Sequence, residues 1–422
     1  MFFLMSKLFF ATLATAVTTS AIWADDYQPQ TELLHWWSSE GESAALSVFI
    51  NEYKSRGGLY FDSSKNDEVA NRKEAIERMG KGYPASLTQW NAGNDLIELY
   101  EFGLIKPIQS PKIVQRLKST SPVPVLDIVT HQDEIIAIPL NIHTENWMWY
   151  SQSHLGQSDI NLSGDWSEFI KIGDALAKKN IPLLAVGNQR WQIRILFTSI
   201  FLGVSRERYK EFYISNDADA IDSDEFKTTL QVVNKLAGYS SSFGDGTWNM
   251  QIKAVAENRA AANFMGDWAR SEFITLDQKV GKDYGCQLTS SADPSLLMVI
   301  DALVLGIVED ESEIAGQDLM LDVVSDPEIN LKFNALKGSI SPYAQPDSSE
   351  LDVCTSQVYA ALANEKAVIP PYQTYFYESG ESAEFIDRTI YEFWNASLDT
   401  DANSDDLVSQ TLDRFRTIFK MQ

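Results

Sequence analysis

Metal-ligand spacing is missing from this chain. Its four histidines and two cysteines are scattered over 422 residues and form no cluster of the kind that zinc or iron requires. There is no glycine-rich phosphate loop, no run of basic residues and no Gly-x-Ser-x-Gly nucleophile elbow. No metal or cofactor is therefore expected. Positive charge is scarce: 34 Lys and Arg stand against 59 Asp and Glu, a formal charge of −25. That argues against nucleic acid or an anionic membrane surface as the main partner, since both reward clustered cations. The acidity itself reads as solubility. With so many carboxylates, counting alone does not test for a catalytic pair, and none stands in a recognisable strand-end context.

Long apolar runs are also lacking. The stretch from Leu8 to Val17 is too short to span a bilayer. Lys7 precedes it, and Ala24 stands as a small residue before Asp25-Asp26. Residues 1–24 thus read as a secretory signal, and the mature chain is expected to be soluble in a bacterial periplasm. No Cys lies near the cut, so a lipid anchor is not expected. Cys286 and Cys354 are free to pair in an oxidising compartment or to stay as buried thiols.

What is present is an alternation of short apolar strands and amphipathic helices over a length that suits two lobes, an α/β architecture. Strands are expected over Thr31–Trp36, Ala85–Trp90, Ile135–Leu140 and Asn146–Tyr150, and one long buried strand over Leu296–Val308. Ser39 and Glu42 form a capping box for a helix whose face carries Ala45, Val48, Phe49 and Tyr53, stopped by Gly57-Gly58. Helices are also expected at Asp95–Phe102, from Asp165 to Lys179, around Phe226–Leu236, and at Leu407–Phe419. No Pro/Ser/Gly linker and no internal repeat is visible. Lobes joined without a linker often exchange the chain more than once, and 138–146 and 297–303 are the candidate crossovers.

Trp36 and Trp37 follow the first strand and precede a polar helix start. Adjacent indoles there offer flat apolar faces to the C–H groups of a sugar, with polar groups nearby for hydroxyls; one as core and one as cover is the structural alternative. Glu42 either bonds back to Ser39 or accepts from a ligand. Met265-Gly266-Asp267-Trp268 either presents an indole over a cleft or caps a helix through Asp267. Trp147 and Trp149 share a strand face opposite Met148. His143 is a cleft donor or a satisfied structural histidine. Asp301 stands inside Leu296–Val304, where a carboxylate is costly unless paired, and is the strongest single-residue hint of a site.

Taken together, His35-Trp36-Trp37-Ser38-Ser39-Glu40-Gly41-Glu42, Leu140 to Tyr150 and Phe264 to Ala269, with weaker matches at Trp191-Gln192, Asp301 and Lys337–Ile340, resemble the substrate-binding proteins of ABC-type sugar importers (extracellular solute-binding protein family 1), near the glucose-binding group. The resemblance implies a two-lobe periplasmic-binding-protein fold of type II, with hinged lobes and discontinuous crossovers: residues 25–139 plus 302–340 as lobe 1, and 140–301 plus 341–422 as lobe 2. It implies a carbohydrate ligand, delivery to ABC-transporter permease subunits in the inner membrane, a monomer, and no covalent chemistry. By similarity Trp36 and Trp37 would stack on a pyranose, and Glu42, Asp301 and Lys337 would bond its hydroxyls. Trp268 would line the opposite wall, with Asn91 and His143 also at the site. The cysteines fall where relatives carry a bonded pair.

Three departures from the glucose-binding pattern are visible. The segment Gln89–Gly93 lacks a Lys, Val299 replaces an Asn, and Ile369-Pro370-Pro371-Tyr372-Gln373 replaces a pocket His. A lost hydrogen bond to a hydroxyl changes discrimination by several kcal/mol, so the ligand is open among monosaccharides, uronates and short oligosaccharides. An exported glycoside hydrolase and a binding protein for a non-sugar solute such as a polyamine are the alternative readings.

Overall fold

In the computed structural model the described residues are 27–65, 67–158, 160–290, 295–347, 349, 351–364, 367–369, 380–399 and 403–420. The expected export signal and the segment Pro370–Gln373 lie outside them. The first strand, Gln30–His35, pairs in parallel with Leu59–Ser64 on one side and Leu87–Asn91 on the other. Asp301–Gly306 joins the far side of Leu87–Asn91 antiparallel, and Ile105–Lys106 and Ile138–Pro139 pair with it in turn. A second sheet runs Ser240–Ser241, Leu184–Ala185, Ala262–Met265, Trp147–Ser151, Tyr284–Leu288. Parallel strands followed by covering helices make this an α/β protein with two lobes, each built on its own sheet.

The helix Glu40–Ser55 starts as its sequence dictates. Ser39 accepts from the Glu42 amide at 3.2 Å, and the Glu42 carboxylate accepts from the Ser39 amide at 3.3 Å. Its buried face, with Ala45, Phe49 and Tyr53, packs on helix Pro327–Lys337, where Phe49 stacks on Phe333 at 4.2 Å between ring centroids. Trp147 and Trp149 are core residues, and Met148 on the opposite strand face belongs to a different hydrophobic cluster. One strand therefore serves two cores, as its period of two requires.

Two expected strands are broken. Ile135–Leu140 contributes only Glu134–Ile135 and Ile138–Pro139. The apolar run from Leu296 divides at Ile300: Leu296–Val299 pairs with His143–Thr144 and Val368–Ile369, whereas Asp301–Gly306 enters the six-stranded sheet. A continuous apolar run reads the same whether its halves share one sheet or two. The backbone crosses twice at this level, and Leu140 donates to the Asp301 carbonyl at 2.8 Å to knit the crossings together.

Cys286, on strand Tyr284–Leu288, is disulfide-bonded to Cys354 in helix Val353–Leu362, closing a separation of 68 residues. A thiol assay on the denatured protein is expected to find no free cysteine. Reduction is expected to lower unfolding stability by ~4 kcal/mol at most, the loop-closure value for that length. Two titratable thiols before reduction would refute the pairing.

Candidate functional site

A cavity of about 320 Å³ collects the carboxyl ends of strands from both large sheets. Trp36 follows Gln30–His35, and Asn91 ends Leu87–Asn91. Trp191, Trp248 and Trp268 lie just beyond Leu184–Ala185, Ser240–Ser241 and Ala262–Met265. Open α/β sheets bind ligands at such ends, because loops and helix starts converge there. The volume lies near the small end of the range for ligand sites, ~300–1,000 Å³.

Four half-buried indoles, Trp36, Trp191, Trp248 and Trp268, reach this cavity. The Trp36 amide donates to Gln89 Oε1 at 3.2 Å, which fixes where the side chain leaves the backbone. Trp268 owes its place to Gly266, where a Cβ would fall 2.1 Å from the indole ring. Its ring meets His143 edge-on at 5.2 Å and lies 6.4 Å from Trp191. Asp267 does not cap the next helix; it accepts from the Thr144 amide at 2.9 Å and bonds His143. Trp37 differs from the twin platform expected from the sequence. It touches the cavity but is only 2% exposed, packed 5.7 Å from Phe333 with the Lys337 ammonium 5.6 Å over its ring. Neighbours on a strand end point to opposite sides, and here one of them faces the core.

The polar groups form a connected set. Asp301 accepts from Asn91 and Asn141, each at 3.0 Å, and pairs with His143 Nε2 at 3.2 Å. Burial would raise its pKa, but the hydrogen bond and charge of His143, with Lys337 and Asn141, hold the carboxyl down at about 2. Burial likewise opposes charge on His143, and the two carboxylates Asp267 and Asp301 outweigh it, so the imidazole pKa is raised. Both ring nitrogens are thereby engaged, and His143 is a cleft residue and a satisfied one at once. Lys337 reaches Glu42 at 3.1 Å, so the two residues expected to bond a ligand separately form a buried ion pair. Glu42 keeps its capping role as well. Behind residues 89–93 stands Arg72, which donates to Asn91 Oδ1 at 3.0 Å, pairs with Glu68 at 3.0 Å and lies 4.6 Å over the Trp90 ring.

All eight expected ligand residues, from Trp36 to Lys337, border the one cavity. Glu145, Arg194, Asp245 and Trp248 line the cavity too, with no sequence signal that singles them out, and Trp191 belongs to a weakly matching segment. These residues come from loops and helix starts, whose paths no periodicity reports. Val299, where the glucose-binding pattern has Asn, does border the cavity. Among the described residues no cluster suited to a metal ion is found, and no helix is long and apolar enough to cross a membrane.

The order of the two sheets, the crossovers between them and the cavity where they meet give the two-lobe α/β fold of periplasmic solute-binding proteins. The chain is a homologue of proteins named probable sugar-binding periplasmic protein. It is 26% identical over 389 residues to the one from Brucella melitensis, covering 90% of each chain. It is 25% identical over 412 residues to the one from Rhizobium meliloti, covering 96% of this chain and 98% of that relative. No family model matches. Among solved structures, a bacterial solute receptor described as preferring β-D-galactopyranose superposes with a TM-score of 0.72 at 14% identity, over 93% of this chain and 99% of that one. A chitin oligosaccharide binding protein superposes at 0.71 and 17% identity, with the same coverage.

Two consequences are measurable. Asp301 is held near 2, against about 3.9 in an unfolded chain, so its ionised form stabilises the fold above pH ~4 and that contribution, roughly 2 kcal/mol, is lost as pH falls from ~4 to ~2. His143, with its pKa raised, contributes stability that is complete below ~6.5 and is lost as pH rises through its folded value. Denaturant titrations across that range are expected to show a flatter acid limb in Asp301→Asn; an unchanged limb assigns it to other carboxylates. Separately, Lys337→Met strands a buried Glu42 carboxylate and is expected to cost roughly 3–5 kcal/mol, partly recovered on adding Glu42→Gln.

Proposed function

We propose that this protein captures a mono- or short oligosaccharide between its lobes in the periplasm and delivers it, chemically unaltered, to the permease of an ABC importer. The observation that carries the reading is the cavity itself, where indoles and hydrogen-bonding groups from both sheets meet. Stacking faces suit the C–H surfaces of a pyranose ring, and the adjoining carboxylates and amides suit its hydroxyls. The names of the homologues support carbohydrate as the ligand class and a periplasmic location. Trp36 and Trp268 serve as platforms on opposing walls, with Glu42, Asn91, Asp301 and Lys337 as hydrogen-bonding groups and His143 positioning Asp301. Residues 25–139 plus 302–340 form lobe 1, and 140–301 plus 341–422 form lobe 2; the pairing of Asp301–Gly306 with Leu87–Asn91 supports the second boundary. Residues 1–24 serve as the export signal, and the mature chain acts as a monomer. Ligand contacts with both walls stabilise a closed form, a shift of population between open and closed states.

A thermal-shift screen over mono- and disaccharides is expected to find a sugar that raises the melting temperature at millimolar concentration. No response from any sugar would defeat the assignment, and release of reducing ends from an oligosaccharide would favour a hydrolase. With the responding sugar, Trp36→Ala is expected to weaken binding by ~1–3 kcal/mol with little loss of stability. Trp37→Ala is expected to cost the fold ~3–5 kcal/mol, because Phe333 loses its neighbour.

A further inference from the structure

We propose that the sugar taken by this cavity carries a protonated amine, so that its class is amino sugar rather than neutral hexose or uronate. The inference rests on the carbohydrate reading above and adds to it the sign of the ligand's charge.

Charge on the cavity wall is one-sided. Glu42, Asp67, Glu68, Glu145, Asp245 and Asp301 border it, against Lys337, Arg194 and His143. Each of the three cations is already committed to carboxylates. Lys337 is paired with Glu42, and His143 is held between Asp267 and Asp301. Arg194 is shared between Glu145 at 3.4 Å and Asp387 at 3.7 Å. Glu68 is itself paired with Arg72 at 3.0 Å, so Asp67 and Asp245 remain to repel a uronate carboxylate, which finds the cations of the wall engaged.

The buried carboxylates are not equally supplied. Asp301 receives Asn91, Asn141 and His143. Glu145 is just as buried, yet among the described residues its side chain is served by the single long hydrogen bond from Arg194. Burial pushes the Glu145 carboxyl up; Arg194 opposes this, and Glu68 from the facing wall adds to the rise together with Asp387. The partly buried Asp387 is raised by burial too, against the pull of Arg194 and Arg190. With its one guanidinium partner shared with Asp387, Glu145 is left short of donors and of positive charge. A ligand ammonium supplies both, with three N–H groups in a compact head. The half-buried indoles around it offer π-faces that attract a cation as readily as they stack on a sugar ring.

Isothermal calorimetry on the full mature chain, at neutral pH and low salt, separates the possibilities. The panel is glucose, galactose and cellobiose, each against its 2-amino counterpart, with glucuronate, galacturonate and spermidine. The expected result is an amino sugar binding at least tenfold more tightly than its neutral counterpart, with uronates weakest. That ratio is expected to shrink in Glu145→Gln and in the rim variant Glu68→Gln, which loses only a half-exposed ion pair with Arg72. Neutral sugars binding as tightly as their amines, or a uronate binding best, would overturn the inference while leaving the carbohydrate reading standing. An amine preference that survives both variants would overturn its assignment to this cluster. Spermidine binding alone, or no binding by any member, would overturn the carbohydrate reading and this inference with it.

Discussion

A carboxylate inside an apolar strand must be given donors, and Asp301 sits where the chain leaves one sheet for another. Supplying it draws Asn91 from the end of one strand, Asn141 from the neighbouring crossover and His143 from the strand after it. His143 then needs its other nitrogen answered, and Asp267 does so from the turn that also carries Trp268. Asn141 returns the favour to the backbone, accepting from the Asp301 amide at 3.0 Å. The cost of one buried charge thus fixes the geometry of both crossovers and of the indole on the far wall.

The same logic operates a few residues away. Glu42 caps a helix start and so must sit at the cavity, and its second oxygen is met by Lys337 at the end of helix Pro327–Lys337. Glu272, from helix Ala269–Thr275, accepts from the Gly41 amide at 3.3 Å beside it. Gly41 has no side chain because a Cβ there would fall 2.5 Å from Ser271 Oγ. The helix that follows Trp268 is therefore pressed against the first turn of the helix that follows Trp36. The two aromatic walls are referred to one another through backbone, not only through the cavity between them.

Much of this was legible where a local rule governs. The Ser39–Glu42 box, the period-two split of Trp147, Met148 and Trp149, and the presentation of Trp268 by a Gly-Asp turn each follow from a few adjacent residues. The buried position of Asp301 was legible as a cost, and its partners were not, because Asn91 and Asn141 lie 210 and 160 residues away. Trp36 and Trp37 looked equivalent because sequence shows no side to a strand end; Phe333, far along the chain, decides which ring is core. The break at Ile300 was hidden for the same reason: hydrophobicity records burial and says nothing of which strand provides it. Glu145 between two strands, Arg194 in helix Arg190–Val204 and Trp248 at the start of helix Trp248–Ala256 share no period, and only the folded chain gathers them.

Saturated and unsaturated groups in this cavity have different consequences for recognition. Glu42, Lys337, His143 and Asp301 are bonded to one another before any ligand arrives, so their positions cost nothing further to order. Such groups define the shape that a ring must fit, yet a new hydroxyl gains little from partners that are already satisfied. Chemical discrimination falls instead to whatever remains short of a partner, because a buried group left unpaired is the expensive state. Glu145, held by one guanidinium hydrogen bond at 3.4 Å and faced by Glu68, is supplied more thinly than Asp301. The apolar faces and the fixed network select for a ring, and the thinly supplied carboxylate selects for the charge that the ring brings with it.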